Sequence, residues 1–451
     1  MSDAGAVTQH TLPTGAPTTA PPKDDMSPSP TRSPAATVLP ESPPGDVTAG
    51  LDWAAADHAD HAVAIVNNKG TVLEQFLIDA TGAGLRELVR RLRRAGVAEV
   101  AIERGDGQVV DTLLAEGLTV VVISPNQVHN LRGRYGSAGN KDDRFDAFVL
   151  ADTLRTDRAR LRPLIPDTAA TVQLRSAVRA RKDLLTHRVG LANQLRAHLR
   201  FFHPGPVGLF ADLDAVTSLR FLGRFTCQDD TDWLTPSRHA TWLRSVGYTG
   251  RKDPAALHAH LLAAAPGPSG PAGAAAAAVT GAFVTALTAI VAQIHALDTH
   301  ISALLREHAD AHIFLSVPRA QALRAARLLA EIGDCRARFP TPESLASLAG
   351  VTPSTRQSGK MKTTSFRWSA DKQLRDAVCD FAADSRHASP WAKQLYDQAR
   401  ARGHRHPHAV RIVARAWLHV IWRCWQDHEP YDPARHHAHR RVLDNLAEAA
   451  A

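Results

Sequence analysis

Four acidic residues in the first third of the chain have the types and spacing that divalent-metal chemistry requires. Asp52 and Glu103 each end a run of apolar residues, and Asp143 and Asp146 stand three positions apart. A spacing of three puts two side chains on the same face of a helix. Asp142 is an alternative to Asp143, because Asp142 and Asp146 also share a helix face at a spacing of four.

Four carboxylates at one place repel one another unless cations neutralise them. Two unit charges ~4 Å apart repel by roughly 4 kcal/mol at an effective dielectric of about 20. Oxygen ligands suit Mg²⁺ or Mn²⁺, and two such ions can activate the attacking oxygen and stabilise the leaving oxygen at a phosphodiester. We therefore expect these acids to form a metal-dependent phosphodiesterase site. The alternative for each acid taken singly is a surface charge or a helix cap.

The residues around the acids predict an α/β domain with a mixed sheet over residues 47–163. Strands are expected at Val47–Trp53, His61–Asn67 and Thr71–Ile78, the last two joined by an Asn-Asn-Lys-Gly turn that favours an antiparallel hairpin. Helices and buried strands then alternate up to a last helix at Asp143–Leu154. This order matches an RNase H-like (RuvC-like) layout, in which the ends of the first and fourth strands lie side by side. Other mixed α/β folds share the order.

A basic, glycine-rich loop leads into the last two acids. Arg132, Arg134 and Lys141 lie in this loop, and we expect them to bind a phosphate backbone beside the metals. A plain flexible loop is the alternative.

Residues 164–312 are predicted to form a coiled-coil region. Two long helices with apolar seams, at 166–202 and 275–308, are candidates for a coiled coil or helical bundle within or between subunits. A mostly helical insert at 205–265 and a flexible Pro/Gly connector at 266–273 lie between them.

A second helical domain is expected at residues 313–432, followed by a solvated tail rich in His and Arg at 433–451. Residues 352–369 of this domain are predicted to be a loop. A helix near the end of the domain carries three tryptophans that we expect in its core: Trp417, Trp422 and Trp425.

The bulk composition narrows the class of protein. Residues 1–46 are mostly Pro, Thr, Ser and Ala, which predicts a disordered leader. The net charge of +8 favours a polyanionic partner, most commonly nucleic acid. Four widely spaced cysteines fit neither a disulfide framework nor a zinc site and indicate a cytoplasmic protein. Neither a signal peptide nor a long uninterrupted apolar run is present, so no membrane association is expected.

Several motifs in a fixed order resemble the DEDD transposases of bacterial insertion sequences, the insertion sequence one-ten family, whose relatives include the Piv invertases. The resemblance covers about residues 47–432. The motifs are Gly50-Leu-Asp52, Ile102-Glu103, Lys141-Asp-Asp143-Arg-Phe-Asp146, Leu348-Ala-Gly-Val-Thr-Pro353 and Gln357-Ser358-Gly359. One departure is Pro318-Arg319-Ala320-Gln321, where the family has a Pro-Gly-Ile-Gly type of turn.

The resemblance implies a transposase that cleaves and rejoins DNA. Its RNase H-like domain would hold Mg²⁺ or Mn²⁺ with the four acids, and the serine nucleophile of its helical domain would match Ser358. It further implies a structured guide RNA that pairs with donor and target DNA. The protein would act as a homo-oligomer, a dimer of dimers. The acids of one subunit would join the serine of another in a composite site, with strands exchanged through a phosphoserine link.

The residues around Ser358 are compatible with this role. A serine hydroxyl needs activation, and nearby cations can hold a scissile phosphate. Arg356, Lys360 and Lys362 flank Ser358, although a Ser-Gly pair is also a common turn.

Three functions remain open on the sequence. The first is an RNA-guided DNA recombinase that uses both the acids and Ser358. The second is a metal-dependent endonuclease or junction resolvase, in which water attacks. The third is a non-catalytic nucleic-acid-binding scaffold. The first is favoured, because a plain resolvase has no need of the domain at 313–432.

Overall fold

The computed structural model describes residues 46–53, 61–135, 142–359 and 361–450, which fall into two compact units, Met1–Leu164 and Ile165–Ala451. The predicted disordered leader up to residue 45, together with Lys141 and Lys360, lies outside the described residues.

A five-stranded mixed sheet forms the centre of the first unit, with the strand order β3-β2-β1-β4-β5. The first three strands pair antiparallel, whereas β4 runs parallel to both β1 and β5. The strands are β1 Val47–Asp52, β2 His61–Asn67, β3 Val72–Ile78, β4 Glu99–Ile102 and β5 Thr119–Val122. The α/β class and the mixed sheet expected from the sequence are therefore confirmed.

Helices cover both faces of this sheet. Leu88 of α1 and Leu113 of α2 belong to the core on one face, and Val128 of α3 and Leu150 of α4 belong to the core on the other. The helices are α1 Gly82–Arg94, α2 Gln108–Ala115, α3 Pro125–Arg132 and α4 Asp143–Asp157. Helix α3 was not predicted, and it ends at Arg132, the first residue of the predicted basic loop. Pro125 at its first turn and a capping box between Ser124 and Gln127 explain where it begins.

The second unit is mainly helical and is organised along two long antiparallel helices. Helix α5 (Ala169–Phe202) packs along α10 (Gly270–Glu307). Arg181 pairs with Asp298 near one end, and the His198 ring hydrogen-bonds to the Thr280 hydroxyl, 3.0 Å away, near the other. Four helices of the insert pack beside the second end: α6 Val216–Arg224, α7 Gln228–Asp232, α8 Pro236–Ser245 and α9 Pro254–Ala263.

Helix α10 has the length and apolar composition of a helix that could cross a membrane, the single case found in the described part of the chain. The sequence-based expectation missed it because Thr, Gln and His interrupt the apolar run without adding charge. A core helix has the same features. The buried positions Val284, Leu287 and Val291 of α10 pack in the same core as α5 and α6.

The remaining helices build a core around buried tryptophans. Trp417 and Trp425 are fully buried, as predicted, and the Trp422 indole N–H donates to the Phe339 carbonyl oxygen, 2.8 Å away. These helices are α11 Ala311–Leu315, α12 Gln321–Ile332, α13 Pro342–Leu348, α14 Lys372–Ser385, α15 Pro390–Ala401, α16 His406–Asp427 and α17 His437–Ala450.

Three sequence-based predictions for this unit are wrong. The segment 352–369 contains an antiparallel hairpin, β6 Ser354–Ser358 with β7 Met361–Ser365, rather than only a loop. The flexible connector is shorter than the predicted 266–273, because α10 already begins at Gly270. The tail forms α17, whose Val442 is buried in the same core as Trp417, so it is not a solvated extension.

The turn that departs from the family pattern keeps an unusual backbone. Arg319 and Gln321 have φ angles of 61° and 46°, a left-handed conformation that favours glycine. The Arg319 guanidinium pairs with Asp384. The turn thus has the backbone conformation of a glycine turn although bulkier residues form it. The ion pair with Asp384 holds the Arg319 side chain in place.

Two buried histidines in and next to the helical insert carry depressed pKa values. Burial lowers the pKa of His203 to about 4 from an ordinary 6.5. Burial and the neighbouring His258 lower the pKa of His239 to about 4 as well. Both rings are therefore neutral in the folded protein near pH 7, whereas the unfolded chain takes up protons already below about pH 6.5.

We predict that the second unit loses stability as the pH falls from about 6.5 to 4. The unfolded chain binds more protons than the folded chain in this window, so each histidine should cost on the order of 2 kcal/mol by pH 5. Thermal melting from pH 7.5 to pH 5 measures the effect. His239→Leu should reduce the pH dependence, whereas substitution of the exposed His295 by leucine should leave it unchanged. An equal pH dependence in wild type and His239→Leu would contradict the assignment.

Candidate metal centre

A close contact between β1 and α4 positions the acidic residues. A Cβ atom added at Gly50 would lie 2.0 Å from the Ala147 carbonyl oxygen and 2.4 Å from the Ala151 nitrogen. The Thr48 hydroxyl donates to the Ala151 carbonyl oxygen, 3.0 Å away. Only glycine at position 50 lets the helix backbone lie against the strand this closely.

The strand register brings Asp52 and Glu103 to the same level of the sheet. Gly50 pairs with Ala101 in parallel register, and side chains two positions apart point to the same face. Asp52 ends β1 and Glu103 directly follows β4, so both lie two positions beyond that pair, on the face that α4 covers. Both are partly exposed.

The first turn of α4 supplies the other two acids. Asp142 is the N-cap, and its carboxylate accepts a hydrogen bond from the Arg144 backbone N–H, 3.1 Å away. Asp143 and Asp146 follow in the first turn, the former exposed and the latter almost completely buried. The structure therefore separates the two alternatives, because Asp142 caps the helix.

Three of the four predicted acids come together. Carboxylate oxygens of Asp52, Asp143 and Asp146 all lie within 4.8 Å of one another. Glu103 does not belong to this group, but it acts electrostatically on the same arginine, Arg132, as Asp52 and Asp146 do. The predicted four-carboxylate cluster is thus three closely spaced acids with the fourth at the adjoining strand end.

Arg132 binds the most buried member of the group. Its Nε donates to Asp146 Oδ1, 2.5 Å away, and its Nη2 donates to the other carboxylate oxygen. The hydrogen bond to Asp146 is the main cause that raises the pKa of Arg132, and the charges of Asp146, Glu103 and Asp52 add to it. The Arg132 guanidinium therefore offsets part of the negative charge at this end of the sheet.

The second predicted phosphate-binding arginine is also paired. Arg134 Nη1 donates to Asp157, 3.0 Å away. The neighbouring Tyr135 hydroxyl donates to the buried Asp152, 2.6 Å away, and burial together with this contact raises the pKa of Tyr135 to about 12. These contacts hold the segment after α3 against α4. No local pattern indicates the role of Tyr135, because its partner lies 17 positions away.

Ser358 lies in the second unit, where it ends β6. It is exposed and pairs with Met361, and Gly359, with a φ angle of 56°, follows it in the turn. Arg356 is two positions away on the same strand and shares its face. Lys362 pairs with Gln357 and therefore lies on the opposite face of the hairpin.

The oxygen donors of Asp52, Asp143 and Asp146 suit a hard divalent cation. Carboxylates are the ligands that Mg²⁺ and Mn²⁺ take from proteins, with water and phosphate oxygens completing the shell. An ion bound by Asp146 would have to share its carboxylate with Arg132 or replace that arginine.

Comparison with known proteins identifies the family. A model described as "Transposase" matches residues 49–204, and one described as "Transposase IS116/IS110/IS902 family" matches residues 311–397. The "Mini-circle putative transposase for IS117" of Streptomyces coelicolor is 31% identical over 424 residues, which cover 90% of this chain and 98% of that protein.

Two further relatives come from insertion elements. The "Insertion element IS900 uncharacterized 42 kDa protein" of Mycobacterium paratuberculosis is 29% identical over 404 residues, 86% of this chain and 98% of that protein. The "Insertion element IS110 uncharacterized 43.6 kDa protein" of Streptomyces coelicolor is 30% identical over 306 residues, 65% of this chain and 72% of that protein.

The two family models and the named relative make this chain a transposase, an enzyme that acts on DNA. The chain belongs to the IS110 family of transposases. The resemblance inferred from the motifs is therefore confirmed.

We predict that Gly50→Ala disrupts the acidic cluster. The added methyl group must push α4 away from β1, which should cost about 1–3 kcal/mol of stability and displace Asp143 and Asp146. Thermal melting and metal-dependent DNA cleavage measure the two effects. Gly190→Ala in α5, where a Cβ would meet nothing within 4 Å, is the matched control. Wild-type melting and cleavage in Gly50→Ala would refute the close-packing argument.

A second prediction separates the two neighbouring aspartates. Asp143→Asn should weaken Mn²⁺ binding about tenfold or more, because it removes a charged ligand. Asp142→Asn should change binding little, because asparagine also caps a helix well. Titration followed by electron paramagnetic resonance of free Mn²⁺ measures both. The reverse ranking of the two variants would show that Asp142, rather than Asp143, faces the metal.

Proposed function

We propose that this transposase cleaves and rejoins DNA at the ends of its element by metal-dependent phosphoryl transfer. The observation that carries the proposal is the convergence of Asp52, Asp143 and Asp146 within 4.8 Å, at the end of the sheet where Glu103 also lies. We infer an RNase H-like (RuvC-like) domain, because the strand order and the antiparallel-to-parallel switch at β1 agree with that layout.

The four acids are proposed as the ligands of Mg²⁺ or Mn²⁺, which would polarise the scissile phosphate and stabilise the leaving oxygen. Asp146 is oriented by Arg132, and the buried position of its carboxylate limits competing water. A metal bound by Asp146 would release the Arg132 guanidinium, which could then contact a DNA phosphate. Arg134 and Lys141 are proposed as further phosphate contacts.

Ser358 is the proposed nucleophile. Its oxygen attacks the phosphorus of a DNA phosphodiester and displaces a DNA hydroxyl, which leaves a phosphoserine link. A hydroxyl of the second strand then attacks the same phosphorus and releases the serine, so one phosphodiester is exchanged for another and no energy-supplying co-substrate is consumed. Exposure of Ser358 at the hairpin end and Arg356 on the same face support this role. Lys360 is proposed as a further phosphate contact, and Lys362, on the opposite face of the hairpin, as a contact to another phosphate of the strand.

Family membership and the net charge of +8 support the remaining parts of the proposal. A structured RNA from the element guides the protein to donor and target DNA. The protein works as a dimer of dimers in the cytoplasm, with the pairing of α5 and α10 contributing a coiled coil. The acids of one subunit and Ser358 of another complete each site.

Trapping the covalent intermediate tests the nucleophile. With an end-containing DNA substrate, Mg²⁺ and the element RNA, wild type should form a protein–DNA adduct that survives denaturing electrophoresis. Ser358→Ala should abolish it, because no hydroxyl remains to attack. Ser237→Ala, an exposed serine in helix α8 of the insert, is the matched control and should form the adduct normally.

Two outcomes would contradict the proposal. An undiminished adduct in Ser358→Ala would exclude this serine as the nucleophile. Hydrolysed DNA ends without any adduct in wild type would instead indicate attack by water, as in a metal-dependent nuclease.

A further inference from the structure

A cavity of about 490 Å³ lies at the base of the β6–β7 hairpin. One wall is the start and end of the hairpin, including Pro353 and Ser365, and the other is α16, with Arg411 and Arg415. Phe366 and Arg367, directly after β7, complete it. Ser358 lies five residues beyond Pro353 along the chain, which corresponds to about 17 Å of extended strand.

Arginine side chains converge on one aromatic ring in this cavity. The guanidinium carbons of Arg375 and Arg411 each lie 4.7 Å from the centre of the Phe366 ring. Gly350, with a φ angle of 63°, makes room for this arrangement, since a Cβ there would lie 2.4 Å from Arg375 Nη2. The arginines are therefore placed by the surrounding backbone rather than loosely exposed.

These cations have no counter-charge in the described part of the unit. Arg367, Arg375, Arg411 and Arg415 form no ion pair with any described carboxylate, and the buried Nε atoms of Arg367 and Arg375 have no hydrogen-bond acceptor there. The acids on α14 are engaged elsewhere: Asp376 by Lys182 and Arg327, Asp380 by Arg324, and Asp384 by Arg319 and Arg324. Burial lowers the pKa of Arg411, and the nearby Arg375 adds to this effect while Cys379 opposes it.

An exposed tryptophan adjoins the cations. Trp368 is 81% exposed, and its ring lies edge-to-face with Phe366 at 4.9 Å between centroids. An indole exposed to water adds little to the stability of the fold, but its flat face is a good surface for a nucleobase to stack on. Cations with free donors beside a flat aromatic surface form the combination that unpaired nucleic acid recognises.

We propose that this arginine–aromatic cavity binds a phosphate of an unpaired nucleic-acid strand while Trp368 stacks on an adjacent base. The inference rests on the proposed function in taking nucleic acid as the ligand, but it requires neither the metal site nor Ser358 as the nucleophile. Because the cavity and the serine belong to the same hairpin, the bound strand would be held at a fixed distance from Ser358. Duplex DNA is a poorer ligand, since its bases are already stacked.

Binding of labelled oligonucleotides to the full-length protein, measured by fluorescence anisotropy in EDTA, tests this site. Trp368→Ala should weaken binding of single strands about 5- to 100-fold, the range of one base–aromatic stack. Arg415→Gln should weaken it for all sequences and lower the salt dependence, the slope of log K against log salt, by about 0.7. Both side chains are exposed, so circular dichroism should show a normal fold.

Matched variants control for general effects of charge and surface. Trp233→Ala removes an exposed tryptophan of the insert, and Arg423→Gln removes an exposed arginine of α16 that pairs with Asp427. Both should bind like wild type. Ser358→Ala should also bind normally, so a missing covalent adduct would refute the proposed chemistry without affecting this result.

Single-stranded DNA and single-stranded RNA form separate arms of the experiment. Weaker binding of either strand by the Trp368→Ala and Arg415→Gln variants supports the site. The strand whose binding is weakened identifies the natural ligand. Binding of both Trp368→Ala and Arg415→Gln within twofold of wild type in both arms would overturn the proposal. An equal loss on duplex DNA would overturn base stacking by Trp368.

Discussion

The contact between Gly50 and α4 is the constraint on which the candidate metal centre depends. A helix whose backbone touches a strand brings its first turn within reach of the strand end, and here that turn carries Asp143 and Asp146 while the strand ends in Asp52. A side chain at position 50 would clash with the backbone of α4 and push the two elements apart. The acids are consequently placed by main-chain packing, which is more rigid than a set of side-chain contacts alone.

Such an assembly of negative charge requires compensation, and Arg132 supplies part of it. Its two hydrogen bonds to Asp146 satisfy a nearly buried carboxylate, which would otherwise carry a large desolvation cost. The charges of Glu103 and Asp52 act on the same arginine. The base of the β6–β7 hairpin has the opposite excess of charge. The arginines around Phe366 are positively charged and lack acidic partners among the described residues. The first unit therefore offers a site for cations, and the second offers a site for anions. The proposed phosphoryl transfer on nucleic acid uses both, since it needs a metal ion and a bound phosphate.

Local patterns in the sequence predicted the α/β order and the strand ends that carry Asp52 and Glu103, because alternating apolar strands and amphipathic helices leave a clear periodicity. The family could be identified from several short motifs that occur in a fixed order along the chain. The β6–β7 hairpin was missed, since its exposed polar strands have no apolar alternation. Contacts between distant positions, such as Arg132 with Asp146, depend on tertiary packing that no local pattern encodes.

Binding of the catalytic metal by the acids at this end of the sheet can be tested directly. Crystals of the protein grown with Mn²⁺ and measured at an energy where manganese scatters anomalously would locate the ion. We predict an anomalous peak within coordination distance of Asp52, Asp143 and Asp146, lost in a crystal of Asp146→Asn. A fully occupied Mn²⁺ site elsewhere, with Arg132 still holding Asp146 and no peak at the acids, would contradict this prediction.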